Sequence, residues 1–135
     1  MAVTVIEEDG EVLARHIPAD DAWRDGLNFF SADADFVQVG SWGYQSGKAL
    51  AAHSHNRVER SVPWTQEVLY VRTGSLRADI YDTKRSKVAE LTVCAGDILV
   101  LLRGGHGYVI LEDDTKVLEI KNGPYPGAEA DRTRL

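Results

Sequence analysis

The feature that most constrains this chain is a succession of short β-type runs, each closed by turn residues, that continues along nearly its whole length. Val3 to Glu7 and Glu11 to His16 flank Asp9-Gly10, a pair that tolerates positive φ and suits a tight hairpin turn. From Asp35 the runs come steadily: "DFVQVGSWGY", "ALAAHSH", "QEVLYVRTG", "SLRADIYD", "VAELTV", "GDILVLL", "GHGYVILE" and "KVLEIKNG". About eight such strands after the first hairpin are enough to close two sheets into a barrel. The sole helix candidate is "PADDAWRDGLNFF", where Pro18 starts a turn or two, acids follow, and Gly26 ends it. The reading divides the chain into an N-terminal hairpin arm with a short helical segment (1–34), a barrel (35–122) and a Pro-containing tail (123–135). The arm packs on its own barrel or swaps between barrels, which predicts a homodimer, because an edge strand without a home partner finds one across a two-fold axis.

Composition narrows the function. The 135 residues are one domain's worth, and a net charge of −6 with scattered basic residues argues against nucleic acid. The densest basic stretch, Lys84-Arg85-Ser86-Lys87, falls where a hairpin turn is expected. Cys94 is the single cysteine, so a disulfide framework and a cysteine-based zinc site are both excluded. An acidic N-terminus, and the lack of any apolar run of about 18 residues, predict a cytoplasmic protein with no membrane partner.

Two of the four histidines, His53 and His55, stand one residue apart. On a strand they share a face, as two ligands of one metal ion must; at a frayed strand end they face water instead. Glu67 shares its face with Leu69 and Val71, so its carboxylate points inward, where it needs a cation or other partner. His106 follows two glycines at the start of a strand and is the candidate fourth ligand. His16, in the arm, reads as a surface residue.

At these residues the chain resembles the cupins, small β-barrels with a metal in the mouth. His53, His55, Glu67 and Gly74 carry the likeness to their first motif, and Gly96, Asp97 and His106 to the second. The resemblance implies an all-β double-stranded β-helix, or jelly-roll, with the N-terminal β-arm and at most one short helix. It also implies that His53, His55, Glu67 and His106 bind one divalent ion, Fe, Mn, Ni or Zn. The chain departs from the pattern in having eleven residues, 56–66, between His55 and Glu67, in Leu102 where proline is usual, and in Ile110 where asparagine is. Those eleven residues predict a loop over the barrel mouth, with Arg57, Arg60 and Trp64 as substrate contacts.

A turn at Asp113-Asp114 would set His106 opposite Lys121 and Tyr108 opposite Glu119 on one face of a hairpin. That face lines the cavity, and Glu119, Lys121 and Tyr108 are its proton-handling candidates. The other face, Val109, Leu111, Leu118 and Ile120, is apolar. The expected function is a metal-dependent enzyme on a small carbonyl, enol or phenolic compound, of dioxygenase or isomerase type. The alternatives are a non-enzymatic small-molecule or sugar-binding cupin and a metal-free sugar-nucleotide isomerase or epimerase.

Overall fold

The structure, a computed structural model, describes residues 2–135. Its strands are β1 (Thr4–Glu8), β2 (Glu11–Ile17), β3 (Gly26–Phe29), β4 (Gly40–Gly43), β5 (Glu67–Thr73), β6 (Ser75–Tyr81), β7 (Lys87–Cys94), β8 (Ile98–Leu101), β9 (Gly105–Ile110) and β10 (Lys116–Lys121). Two one-turn helices, α1 (Ala19–Ala22) and α2 (Ala128–Asp131), complete it, one more than the sequence led us to expect. All pairings are antiparallel. The strands form a five-stranded sheet in the order β1-β2-β8-β5-β10, a three-stranded sheet β7-β6-β9 and a separate ribbon β3-β4.

Alternation along the central strands explains how these layers stack. Every residue of β8 is buried, as a short unbroken apolar run in mid-sheet should be. Leu99 and Leu101 point to the core between the two larger sheets, together with Leu13, Leu69, Val71, Leu76, Ile80 and Val93. Ile98 and Val100 point to the opposite face, where Leu102, Val68, Ile17, Ala22 and Val39 make a second cluster. Burying each such side chain contributes roughly 1.5–3 kcal/mol, so β8 and β5, with apolar residues on both faces, anchor the fold.

The first hairpin forms at Asp9-Gly10 as expected, both residues taking positive φ. Its second strand then pairs with β8, so the arm belongs to the main sheet of its own chain. The Lys84–Lys87 stretch also turns a hairpin as expected, between β6 and β7.

Other expectations are corrected. The strands do not close into a barrel, because β9 and β10 are both edge strands. Nor do they form a hairpin with each other: β9 pairs with β6 and β10 with β5, so the chain crosses between sheets after Ile110. The run "ALAAHSH" is not a strand. Residues 44–66 contain no strand or helix, and residues 42–64 are exposed throughout. Period-two patterning permits a strand, but only a neighbouring edge makes one.

His16 is not a surface residue either. It is buried with its Nε2 2.8 Å from Asp97 Oδ2, and that carboxylate also accepts hydrogen bonds from the backbone amides of Ala19 and Cys94 at 2.8 Å. Asp97 thereby ties β2, α1 and the turn before β8 together.

Candidate functional site

Glu67 is the first residue of β5, and alternation with Leu69 and Val71 turns its side chain into the space between the sheets, where it is only 6% exposed. The β10–β5 register places Lys121 beside Glu67 and Glu119 beside Leu69, so both point to the same side. From the facing sheet, the β6–β9 register pairs His106 with Ile80 and Tyr108 with Ala78. Ile80 and Ala78 are core residues, so His106 and Tyr108 point to the same side, where both line the cavity while remaining open to solvent. The expected gathering of His106, Tyr108, Glu119 and Lys121 on one cavity is observed, though two facing sheets produce it instead of a hairpin.

The side chains meet closely. His106 Nε2 lies 2.8 Å from Glu67 Oε2, and Lys121 Nζ lies 3.5 Å from Glu67 Oε1 and 3.8 Å from Glu119 Oε2. Glu67 Oε2 is fully buried, with the His106 imidazole beside it. Burial pushes the Glu67 carboxyl up, but His106 and Lys121 outweigh burial and hold it below its ordinary range. The carboxylate is therefore ionised at neutral pH. The Tyr108 ring lies 5.4 Å from that of His106. Burial first, then the negative charges of Glu67 and Glu119, push its phenol far above the usual value of 10.

These residues line a cavity of about 1050 Å³, together with Trp64, Tyr81, Arg103 and the tail from Asp131 to Leu135. Sequence reasoning missed the tail, because prolines and charges without periodicity give no sign of where a segment docks. It is held by a 2.5 Å hydrogen bond from Thr65 Oγ1 to Asp131 Oδ1 and by Leu135 lying against Gly105. Arg132 and Arg134 reach the mouth with no ion-pair partner among the described residues. A second hollow of about 550 Å³ between Val3, Arg24 and Phe29 contains only the Asp21–Arg24 pair among its charges.

Of the expected loop contacts, Trp64 lines the cavity and donates its indole N–H to the Leu102 carbonyl at 2.8 Å. Arg57 and Arg60 do not line it; Arg57 pairs loosely with Glu59, both fully in solvent. His53 and His55 also lie outside the cavity, with their rings 5.1 Å apart and His53 bonded to its neighbour Ala51. Among the described residues, no group of three or more His, Cys, Asp and Glu side chains is placed to hold a metal. One copy of the chain brings together two donors, Glu67 and His106, fewer than the three or four protein ligands a catalytic or structural zinc-type centre takes.

No family model, curated protein or solved structure matches this chain. Among the described residues, no helix is long and apolar enough to cross a membrane.

Proposed function

We propose that this protein is a small-molecule-binding protein of the cupin type, and an enzyme that moves a proton on a small anionic carbonyl or enol compound held between its sheets. The observation that supports this reading is the Glu67–His106–Lys121 cluster, an ionised inward carboxylate flanked by an imidazole and an ammonium group. Glu67 is the base. It takes a proton from carbon next to the substrate carbonyl, and the C–H electron pair moves into the carbonyl to give an enolate.

Lys121 stands beside that carboxylate and stabilises the negative oxygen, with Tyr108, which stays a phenol, as a hydrogen-bond donor. His106 positions Glu67, and returning the proton to carbon completes the exchange. Arg132 and Arg134 at the mouth suit a substrate carboxylate or phosphate. General acid–base catalysis of this kind contributes about 10²–10⁴ in rate. The isomerase-type reading uses only residues that one copy gathers, whereas the dioxygenase reading requires a redox metal and hence further ligands.

Proton NMR in D₂O tests the proposal, with pyruvate and dihydroxyacetone phosphate as probes. Catalysed loss of the signal from hydrogens next to the carbonyl is expected, and its disappearance in Glu67→Gln. Saturable binding without exchange would replace the enzyme by a binding module. No binding at millimolar probe would sink both.

A further inference from the structure

We propose that residues 131–135 are a strap that closes over a phosphate monoester in the cavity, with Arg132 and Arg134 as the side chains that grip its phosphate. This rests on the reading of that cavity as the functional site, and it names the ligand's charged group and the place where that group sits.

The strap is fastened at two points and loose between them. At one end Asp131 Oδ1 accepts the Thr65 hydroxyl, and Thr65 stands two residues outward of Glu67, the first residue of β5. At the other the Leu135 side chain fills the space left by Gly105, where a Cβ would run into its Cδ1. Gly105 is the neighbour of His106 and pairs with Tyr81, so Leu135 docks on β9 at the lip of the site. Among the described residues, Thr133, Arg134 and Leu135 make no hydrogen bond, and all of 132–135 is exposed. Segments with so few bonds open at little cost in free energy, and lids are drawn from them.

Charge divides the cavity into two zones. Around Glu67, its carboxylate and that of Glu119 face a single ammonium group, Lys121, with the His106 imidazole beside them. The mouth holds three arginines. Arg103 is committed, bonded to Glu11 at 2.8 Å and to the Val12 carbonyl at 2.9 Å, whereas the guanidiniums of Arg132 and Arg134 are unpaired among the described residues. A carboxylate attached directly to the reacting carbonyl would lie against Glu67 and Glu119, and like charges repel. An anionic group at the far end of the ligand meets the strap instead, roughly 7 Å outward by the two-residue step from Glu67 to Thr65.

Two guanidiniums favour a phosphate monoester over a second carboxylate. A carboxylate has one charge and two oxygens, which one arginine fork satisfies, while a monoester carries about −1.5 to −2 at neutral pH and three free oxygens. Arg132 has extended backbone, with φ −133° and ψ 154°, and residues two apart on an extended segment share a side, so Arg132 and Arg134 grip one group between them. The phosphate is then a third fastening in the middle of the strap. Because only the closed form offers that contact, the ligand shifts the strap toward closure.

The test uses the full-length protein with dihydroxyacetone phosphate, its phosphate-free parent dihydroxyacetone, and inorganic phosphate. In NMR titrations wild type should bind the ester about a hundredfold more tightly than the parent, about tenfold for each guanidinium. That preference should fall below about tenfold in Arg132→Gln/Arg134→Gln, whose exposed side chains the fold does not need. Trypsin reads closure directly. The ester should slow the cut after Arg132 about tenfold, while the cuts after Arg57 and Arg60, which lie outside the cavity, keep their rates. Leu135→Ala frees one end of the strap, so the cut after Arg132 should speed up without ligand and the ester should dissociate about fivefold faster.

An ester bound no more tightly than its parent overturns the strap, as does an unchanged preference in the arginine variant or equal protection after Arg132 and Arg57. Inorganic phosphate that protects Arg132 as well as the ester does would reduce the contact to an adventitious ion only, and overturns it too. Protection that depends on the arginines, without exchange of the ester's C–H protons, would keep the strap and remove the enzyme. Exchange with unchanged ester affinity in Arg132→Gln/Arg134→Gln would keep the reading of Glu67 and remove the strap.

Discussion

Lys121 and Glu67 sit directly across the β10–β5 register, and their charged ends are 3.5 Å apart inside the sandwich. Glu67 is buried, whereas a quarter of the Lys121 side chain still reaches solvent. Replacing the lysine by methionine keeps the stem and removes the charge. We expect Lys121→Met to cost about 1 kcal/mol of stability, less than a fully buried pair because water screens this one. Pyruvate binding should weaken about tenfold, which corresponds to about 1.4 kcal/mol. Urea unfolding and calorimetry measure the two effects separately, and unchanged binding would remove Lys121 from the site.

Tyr108 is expected to remain a phenol where an ordinary tyrosine ionises. Its raised value means the protonated form persists as pH climbs, so no charge develops beside Glu67 and Glu119. At pH 11 an unperturbed phenol, with a pKa of about 10, is about nine-tenths ionised. Wild type and Tyr108→Phe should nevertheless absorb equally at 295 nm, with circular dichroism confirming that both are folded. One extra tyrosinate in wild type would show that neither the cavity nor the nearby carboxylates hold this phenol protonated.

The largest loss of stability from a single polar substitution is expected at Asp97. Its carboxylate receives two backbone amides and His16, and alanine would leave all three without their acceptor. Asp97→Ala should cost about 3–5 kcal/mol and His16→Ala about 1–3. Because the two side chains share one contact, the double variant should fall short of the sum of the two, by about 0.5–3 kcal/mol. Strict additivity in denaturant titrations would show that the pair is not coupled.

Gly74 and Gly10 both take positive φ, but only one is crowded. A Cβ at Gly74 would stand 2.2 Å from Thr115 Oγ1 and 2.8 Å from its Cα, whereas nothing lies within 4 Å of one at Gly10. Gly10→Ala should therefore cost only the conformational strain, about 1–2 kcal/mol. Gly74→Ala must also displace the Thr115 backbone, just before β10, and should lower the melting temperature at least twice as far. Equal shifts would mean that Thr115 yields freely.

Much of this arrangement can be read from neighbours in sequence. Asp9-Gly10 announces its own hairpin, and the alternation Glu67, Leu69, Val71 is enough to turn Glu67 inward. The inward face of His106, Tyr108, Glu119 and Lys121 was legible for the same reason. Their strand partners were not, since a strand that crosses to the facing sheet has the same period as one that turns back beside its predecessor. His16 was misread because its partner, Asp97, is 81 residues away and nothing local marks the contact. The segment around His53 shows the limit from the other side: patterning named a strand, but it could not provide the edge that would make one.

The pairing of β2 with β8 bears on how the molecule comes into being. Loop closure across such a separation is entropically costly and slow, so this sheet has a high contact order. During synthesis, Leu13, Ala14 and Ile17 must wait for Ile98 to Leu102 before their apolar faces are covered. For most of its translation the chain carries an adhesive first hairpin with nowhere to dock, and its yield in a cell depends on how well that interval is shielded.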